Sequence, residues 1–501
     1  MKISCRTFKS SDVAKNISTD LLVIPLMEGG AFTRLGNELN RSMEGWLSKL
    51  VEREQLRGKI GDSRLIDTQG KIAAHSLLLV GVGKGDLKNG EVLRKFAAAA
   101  IKTGHKIHAK KITLEDFSGK KKIPAEKRGV ALSEGIELGN YSFDLYKSEK
   151  ASVKKTVQEV EILTSESSSL EKGIKKGMIF ADSTNLARDL INIPASDMTP
   201  KHMADEARKI GKLPGLSVKI HDKKEIEKMG MGCYLAVSKG STEPPYLIHL
   251  TYKPIGKGGK VRKKIAVVGK GVTFDSGGLS LKPANSMETM KDDMSGAAAM
   301  LGIMKALSSL KPHVEVHGIS AVTENMPSGS ADKPGDIAKA LNGKTVEILN
   351  TDAEGRLTLA DAIGYAQKQN PDIIIDMATL TGACVVALGE LCSAILGNNQ
   401  ALIDHLIQCG EEAGEKIWQM PLIEEYKEDL KSPIADLKNV GGRWGGTING
   451  ALFIQEFVDP KIQWAHIDIA GPSWTEKELA YCPRGGTGHI TRTLLNFILK
   501  I

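Results

Sequence analysis

Lys264-Ile265-Ala266-Val267-Val268-Gly269-Lys270-Gly271-Val272-Thr273-Phe274-Asp275-Ser276-Gly277-Gly278 begins as an apolar run and ends in an acid and two glycines. A short, continuously apolar segment closed by glycine reads as a strand buried on both faces, the kind that belongs to a sheet covered by helices on either side. Asp275 then falls just past the C-terminal end of that strand, where ligand sites of open α/β sheets gather.

The same grammar repeats outward from this stretch. Asp292-Asp293 precede an Ala- and Met-rich helix expected over 295–310, followed by a strand over 314–323 and another over 345–349. The loop Asn350-Thr351-Asp352-Ala353-Glu354-Gly355-Arg356 again follows a strand end and opens a helix over 355–369. Asp372-Ile373-Ile374-Ile375-Asp376 is a very apolar strand, and a late strand over 464–469 and a terminal helix over 490–499 close the chain.

Upstream, Asp20-Leu21-Leu22-Val23-Ile24-Pro25-Leu26 and Ser76-Leu77-Leu78-Leu79-Val80-Gly81 read as buried strands, with helices over 92–103 and 129–138 and further strands over 110–117 and 159–163. This alternation argues for an α/β sandwich. The polar, Ser-rich break over 164–169 precedes a helical stretch ending before Pro194. The expected division is therefore an N-terminal domain over 1–168, a connecting helix over 169–192 and a second domain over 193–501. A chain of 501 residues exceeds what one core supports, so at least two domains are required.

Composition narrows the class. Hydrophobic residues make up 41% and charged residues 26% of the chain, ordinary for a globular protein. No run spans a bilayer, and Met1-Lys2-Ile3-Ser4-Cys5-Arg6 lacks the apolar core of a secretory signal. The six scattered cysteines form no CxxC pair and read as reduced thiols, giving a cytoplasmic expectation; Cys384 reads as a small buried hydrophobe. Residues 1–180 carry 32 Lys and Arg against 22 Asp and Glu, a balance of +10 in a chain of net charge +8, so the rest sums to −2. Lys110-Lys111 and Lys120-Lys121-Lys122 contribute to this. A solvated lysine-rich surface explains the excess; a nucleic-acid footprint is the sharper alternative, without an aromatic platform or helix-turn-helix signature beside it.

Each acid taken singly has a plain structural explanation. Asp275 before Ser-Gly-Gly suits a turn, and Asp352 and Glu354 suit a helix N-terminus. Three acidic loops, each at a strand end, together suggest a divalent-metal site, because converging carboxylates repel unless cations are present. Oxygen ligands of this kind suit Mg²⁺, Mn²⁺ or Zn²⁺, and four acids suffice for two ions about 3.5–4 Å apart. Lys270, Lys282, Lys291 and Arg356 stand among them. A lysine there can serve as a neutral ligand or as a charged stabiliser of an oxyanion, and residue chemistry alone leaves the choice open.

Asn350-Thr351-Asp352-Ala353-Glu354-Gly355-Arg356-Leu357 resembles the signature of the M17 leucyl aminopeptidases. Gly269 to Gly278, Lys282-Pro283, Met290-Lys291-Asp292-Asp293-Met294 and Asn185-Leu186-Ala187-Arg188-Asp189-Leu190 resemble further family motifs. Gly485-Gly486-Thr487-Gly488 resembles a C-terminal Gly-Ala-Thr-Gly element, with Gly486 in place of Ala. The resemblance is strong over 180–501 and weak over 1–170. It implies a smaller macro-like N-terminal α/β domain and a larger α/β catalytic domain with a central mixed sheet.

The implied activity is removal of N-terminal residues, leucine and other apolar residues preferred, by attack of a metal-bridging hydroxide on peptides with a free N-terminus. Asp275 and Glu354 would bridge two metals, Lys270 and Asp293 would complete the more exchangeable site, and Asp352 the other. The ions would be Mn²⁺ or Zn²⁺, with Mg²⁺ admissible in one site. Lys282 would stabilise the tetrahedral intermediate, Arg356 would hold a bicarbonate, and Met290, Thr379 and Gly382 would line the pocket for the first side chain. A cytoplasmic homohexamer engaged in peptide turnover is implied as well.

Three rivals stand beside this reading. Some bacterial relatives double as DNA-binding transcription or recombination factors, and the basic N-terminal half would serve that role. A phosphoesterase would use paired carboxylates too, yet none of the 11 histidines falls in the acidic motifs and no Walker-type loop is present. A catalytically dead scaffold is disfavoured by the complete set of matched residues.

Overall fold

The computed structural model of the chain describes residues 1–7, 16–85, 90–117, 123–148, 156–254 and 263–501. It separates into two compact units. One comprises Met1–Asp182 with the short pieces Glu412–Gly414 and Lys477–Pro483, and the other holds the remainder. The division falls within the helix Ser167–Asn192.

The N-terminal unit is built on strands β1 (Lys2–Thr7), β2 (Thr19–Met27), β3 (Ala31–Phe32), β4 (Ser63–Asp67), β5 (Ala74–Gly81), β6 (Lys111–Glu115) and β7 (Glu159–Thr164). The sheet order is β1-β7-β6-β2-β5-β4, with β3 pairing β2; among the described residues the β4 and β3 pairings are antiparallel and the others parallel. The apolar run of β2 is explained by burial on both faces. Leu21 and Val23 point toward Phe96, Leu132 and Ile136, from the helices Glu91–Lys106 and Ala125–Gly139. Leu22, Ile24 and Leu26 point the other way, toward Leu35, Leu39 and Leu47.

The expected polar break over 164–169 is corrected: the helix already begins at Ser167, so the serines open it rather than separate it. The Thr164 hydroxyl accepts from the Glu166 N–H at 3.1 Å, because short hydroxyl side chains satisfy free N–H groups at helix starts. Of the basic runs, Lys120-Lys121-Lys122 lie outside the described residues. The Lys110 and Lys111 backbone N–H groups both donate to Asp20.

The second unit continues with β8 (Leu216–His221), β9 (Tyr246–Tyr252), β10 (Lys264–Gly269), β11 (Gly271–Asp275), β12 (Glu315–Asn325), β13 (Asp336–Lys339), β14 (Thr345–Ile348), β15 (Ile373–Ala378), β16 (Cys392–Gly397), β17 (Lys416–Gln419), β18 (Leu437–Lys438), β19 (Gln463–Asp468), β20 (Trp474–Thr475) and β21 (Gly485–Gly486). The main sheet has the order β17-β16-β19-β15-β10-β12-β9-β8, with β11 paired to β12. β12, β10, β15 and β19 run parallel, β9 and the β16–β17 pair run against them, and β8, antiparallel to β9, runs with them, so the sheet is mixed.

β10 is followed in the chain by a parallel neighbour on one side, β12, and then by one on the other, β15. Strand order reverses there, which opens a crevice at the C-terminal strand ends. Two placements differ from expectation. Asp275 closes its own short strand, β11, rather than trailing β10, and the loop carrying Asp352 and Glu354 leaves β14, which belongs to a small separate sheet of β13, β14 and β18.

Candidate active site

Lys270 directly follows β10, with its N–H donating to Met377 O of β15 at 3.0 Å. The helix Ser295–Leu310 approaches this point closely. A Cβ on Gly296 would stand 2.2 Å from Met377 O and 2.8 Å from Lys270 N, so only glycine lets that helix start there. The turn before the helix carries Asp292 and Asp293. The helix Gly355–Gln367 brings Glu354 and Arg356 from the opposite direction, and Glu354 makes no capping hydrogen bond, which removes the helix-cap explanation for it.

The side chains converge. The Lys270 ammonium donates to Asp293 Oδ1 at 2.6 Å and Thr379 O at 2.8 Å, and lies 2.9 Å from Glu354 Oε1. The Lys282 ammonium stands 2.7 Å from Asp275 Oδ2 and 2.5 Å from Asp352 Oδ1. Asp275 Oδ1 accepts from the Gly277 N–H and from Asn325 Nδ2, both at 2.8 Å, so the turn role expected of this acid is present alongside its place in the cluster. Thr379 Oγ1 donates to Asp293 Oδ1 at 2.7 Å.

Charge is unbalanced here. Two ammonium groups face four carboxylates, and the two ammonium groups are held above their ordinary range by Asp293 and Glu354 for Lys270, and by Asp275 and Glu354 for Lys282, against the opposing effect of burial. Burial raises Asp293 well above the carboxylate range and raises Asp275 and Asp352 as well; Glu354 adds to the rise at Asp275. Asp292, fully enclosed, is pushed up to about 7 by burial although the Ser473 hydroxyl donates to it at 3.3 Å.

Asp293 Oδ2 is a buried oxygen without a hydrogen-bond donor, and Asp352 Oδ1 and Glu354 Oε1 are buried with a lysine ammonium against each. Oxygens of Asp275, Asp293 and Glu354 all lie within 4.8 Å of one another. Hard donors at this density fit divalent ions, and the lysine ammonium groups stand where such cations would relieve the repulsion.

Arg356 is buried, and its Nη1 donates to Asn439 O at 2.9 Å while its Nε has no partner. Its guanidinium lies 6.0 Å from the Phe453 ring centroid, and burial lowers its pKa to about 10 against the carboxylates of Glu354 and Asp468. Met290 opens the short turn leading to Asp293. Gly382 begins the helix Gly382–Leu388, and a Cβ built on it meets nothing within 4 Å, so open space adjoins it. A further cavity of about 800 Å³, lined among others by Glu28, Lys84 and Glu115, lies in the N-terminal unit. Its lining lacks the converging donor set found around β10, and the chemistry, not the volume, identifies the site.

Sequence reasoning missed the residues that brace the cluster. Asn325 joins Asp275 to Thr351 O, and Asn439 Nδ2 donates to Asn350 O at 2.6 Å while its Oδ1 accepts from Leu349 N. Nothing local marks these asparagines. Asp468 did carry a signal, an acid at the end of an apolar strand like Asp275.

Known proteins similar to the chain identify its family. Residues 185–495 match the catalytic domain of the cytosol aminopeptidase family, and residues 23–150 match its N-terminal domain. A probable cytosol aminopeptidase of Sulfurihydrogenibium sp. is 44% identical over 97% of this chain and 96% of its own length. A tomato leucine aminopeptidase mutant superposes with a TM-score of 0.89 at 37% identity, covering 100% of this chain and 97% of that one. The bottromycin maturation enzyme BotP in complex with Mn does so with 0.85 at 33% identity, covering 96% and 99%. The chain belongs to the cytosol aminopeptidase family and is an aminopeptidase.

Proposed function

We propose that this aminopeptidase uses two divalent ions to release N-terminal residues, leucine and other apolar residues preferred, from peptides with a free amino group. The observation that carries this reading is the convergence of buried carboxylate oxygens of Asp275, Asp293 and Glu354 within 4.8 Å of one another, with Asp293 Oδ2 left without a donor. Asp275 and Glu354 would be shared by both ions, Lys270 and Asp293 would complete one position, and Asp352 the other. The BotP relative, whose structure is a complex with Mn, is consistent with Mn²⁺; Zn²⁺ suits the same donors. When bound, the ions supply Lewis acidity and an acidified water, and a bicarbonate at Arg356 supplies a proton acceptor.

The chain's own groups do the rest. Lys282, held between Asp275 and Asp352, is placed to donate to a developing oxyanion. Arg356, with an unpartnered Nε, is suited to hold a small anion. Met290, Thr379 and the open space at Gly382 receive the first side chain, and an apolar preference follows from Met290. The segment 169–192 is proposed to connect an N-terminal domain over 1–168 to the catalytic part.

Hydrolysis of a leucine anilide tests the reading. After chelation the activity should vanish, return on adding Mn²⁺ or Zn²⁺, and remain absent with an N-acetylated substrate. Activity that survives thorough chelation would overturn it.

A homohexameric assembly in the cytoplasm is part of the proposal. Exposed apolar side chains in the catalytic unit, Val386, Trp444 and Trp418 among them, are available for such an assembly to cover. Light scattering of the purified chain tests the stoichiometry. The alternative of DNA binding rests on the +10 balance of residues 1–180. A gel shift with nonspecific DNA at low salt, without retardation, would remove it.

A further inference from the structure

We propose that Asp468 is a positioning residue that holds the Thr379-Leu380-Thr381 turn and, through it, the geometry of Asp293 and Lys270. The inference rests on the two-metal reading above and adds a residue to it.

Asp468 ends β19, the neighbour of β15 in the main sheet, and is completely buried. Its carboxylate spends both oxygens on one turn. Oδ1 accepts from Leu380 N at 3.2 Å, and Oδ2 accepts from the Thr381 hydroxyl at 2.6 Å. The same Oδ1 accepts from Ala470 N at 3.2 Å, which fixes the carboxylate plane relative to its own backbone.

The turn is where the metal-side residues are held. Thr379 O accepts from the Lys270 ammonium, and Thr379 Oγ1 donates to Asp293 Oδ1. A rotation of the Thr379 peptide would therefore move two proposed ligands together. Asp468 opposes that rotation from the next two residues. Thr381 adds a second constraint: its oxygen accepts from Cys384 N at 3.1 Å, so donating to Asp468 fixes the hydroxyl with its lone pair toward the helix Gly382–Leu388. The charge of Asp468 also acts on Arg356, so one buried carboxylate bears on both the anion-holding and the metal-holding sides.

Groups that orient ligands typically change metal affinity or activity by roughly 10- to 100-fold when removed. The lost contacts here concern Lys270 and Asp293 but neither Asp352 nor Asp275, so the effect should fall on one ion of the pair.

The test uses the full chain, stripped with chelator, and Mn²⁺ titrated in by calorimetry. The unsubstituted chain should take up two equivalents. Asp468→Ala should weaken one equivalent by roughly 10- to 100-fold and leave the other within a few-fold. Asp468→Asn, whose amide oxygen still accepts from Thr381, should show a smaller loss at the same equivalent. Thr381→Val, which removes the hydroxyl at constant volume, should weaken that equivalent too, with kcat falling more than KM rises. Should Asp468→Ala fail to fold, the Asn and Val variants carry the test. Two equivalents at native affinity in both folded variants would overturn the inference alone. Fewer than two equivalents in the unsubstituted chain would overturn the two-metal reading, and this inference with it.

Discussion

At the scale of single residues, Lys282 and Gly355 make opposite demands on the site. Lys282 supplies a charge, and its ammonium contacts Asp275 and Asp352. Losing one preorganised donor to an oxyanion costs about 10²–10³ in kcat, so Lys282→Ala should lower kcat by that order while metal affinity changes by no more than a few-fold. Activity retained within a few-fold would show that the oxyanion role is misassigned. Gly355 supplies absence. A Cβ there would lie 2.6 Å from Lys270 Cε and 2.7 Å from its Nζ. The lysine tip can yield, so Gly355→Ala should fold normally; alanine is if anything the better helix residue, by about 1 kcal/mol. The ammonium would then leave its place between Asp293 and Glu354. Because a small misplacement at a reacting centre can cost about 10² in rate, we expect activity to fall at least tenfold with an unchanged melting temperature. A lower melting temperature with full specific activity would reverse that argument.

At the scale of elements, a buried polar network ties β8, β9 and β12 to the helix Gly355–Gln367, whose first turn carries Arg356. His221 Nε2 and His249 Nδ1 both contact Tyr365 Oη, at 3.0 and 3.1 Å, and His249 Nε2 meets His317 Nδ1 at 2.9 Å. His317 Nε2 in turn meets Glu315 Oε1 at 2.9 Å. Burial lowers all three imidazoles below their ordinary value of 6.5, His249 to about 4. A base whose folded pKa is depressed contributes stability that is present above the unfolded value and lost as pH falls toward the folded one. The catalytic unit should therefore lose stability between pH 6.5 and about 4, by on the order of 3 kcal/mol for His249. Thermal melts across that window check it: His249→Gln should flatten the slope, and an unchanged slope would show that acid lability originates elsewhere.

This network was not legible in the sequence, and the reason is physical. β8 and β9 alternate or mix polar residues, His221 and His249 among them, so they lack the apolar run that reveals β10 and β15. Asp275, Asp352 and Glu354 were legible because an acid at a strand end is locally anomalous. Asn325, Asn439 and Asp468 act on backbone far away in sequence, and for the asparagines no local pattern reports that. In the small sheet, the strand expected over 345–349 is β14, and what escaped is its pairing with β18, which joins segments about 90 residues apart, such as Val346 and Leu437.

At the scale of the whole molecule, the two units have separate hydrophobic cores, and the carboxylate cluster lies in one of them. Cations that bind only the folded chain stabilise it by mass action, and the gain is felt first where local opening would break the site. In the chelated protein, repulsion among Asp275, Asp293, Asp352 and Glu354 should loosen the segments that carry them: the end of β11, the turn into the helix Ser295–Leu310 and the loop after β14. Hydrogen exchange compared with and without Mn²⁺ should show slowing in those segments and in the Thr379-Leu380-Thr381 turn, because Thr379 holds both Lys270 and Asp293. The N-terminal strands β2, β5 and β6 should exchange at the same rate in both states. Slowing spread evenly over both units would mean that metal acts on the assembly rather than on this cluster, and slowing confined to the N-terminal unit would move the metal site out of the catalytic unit altogether.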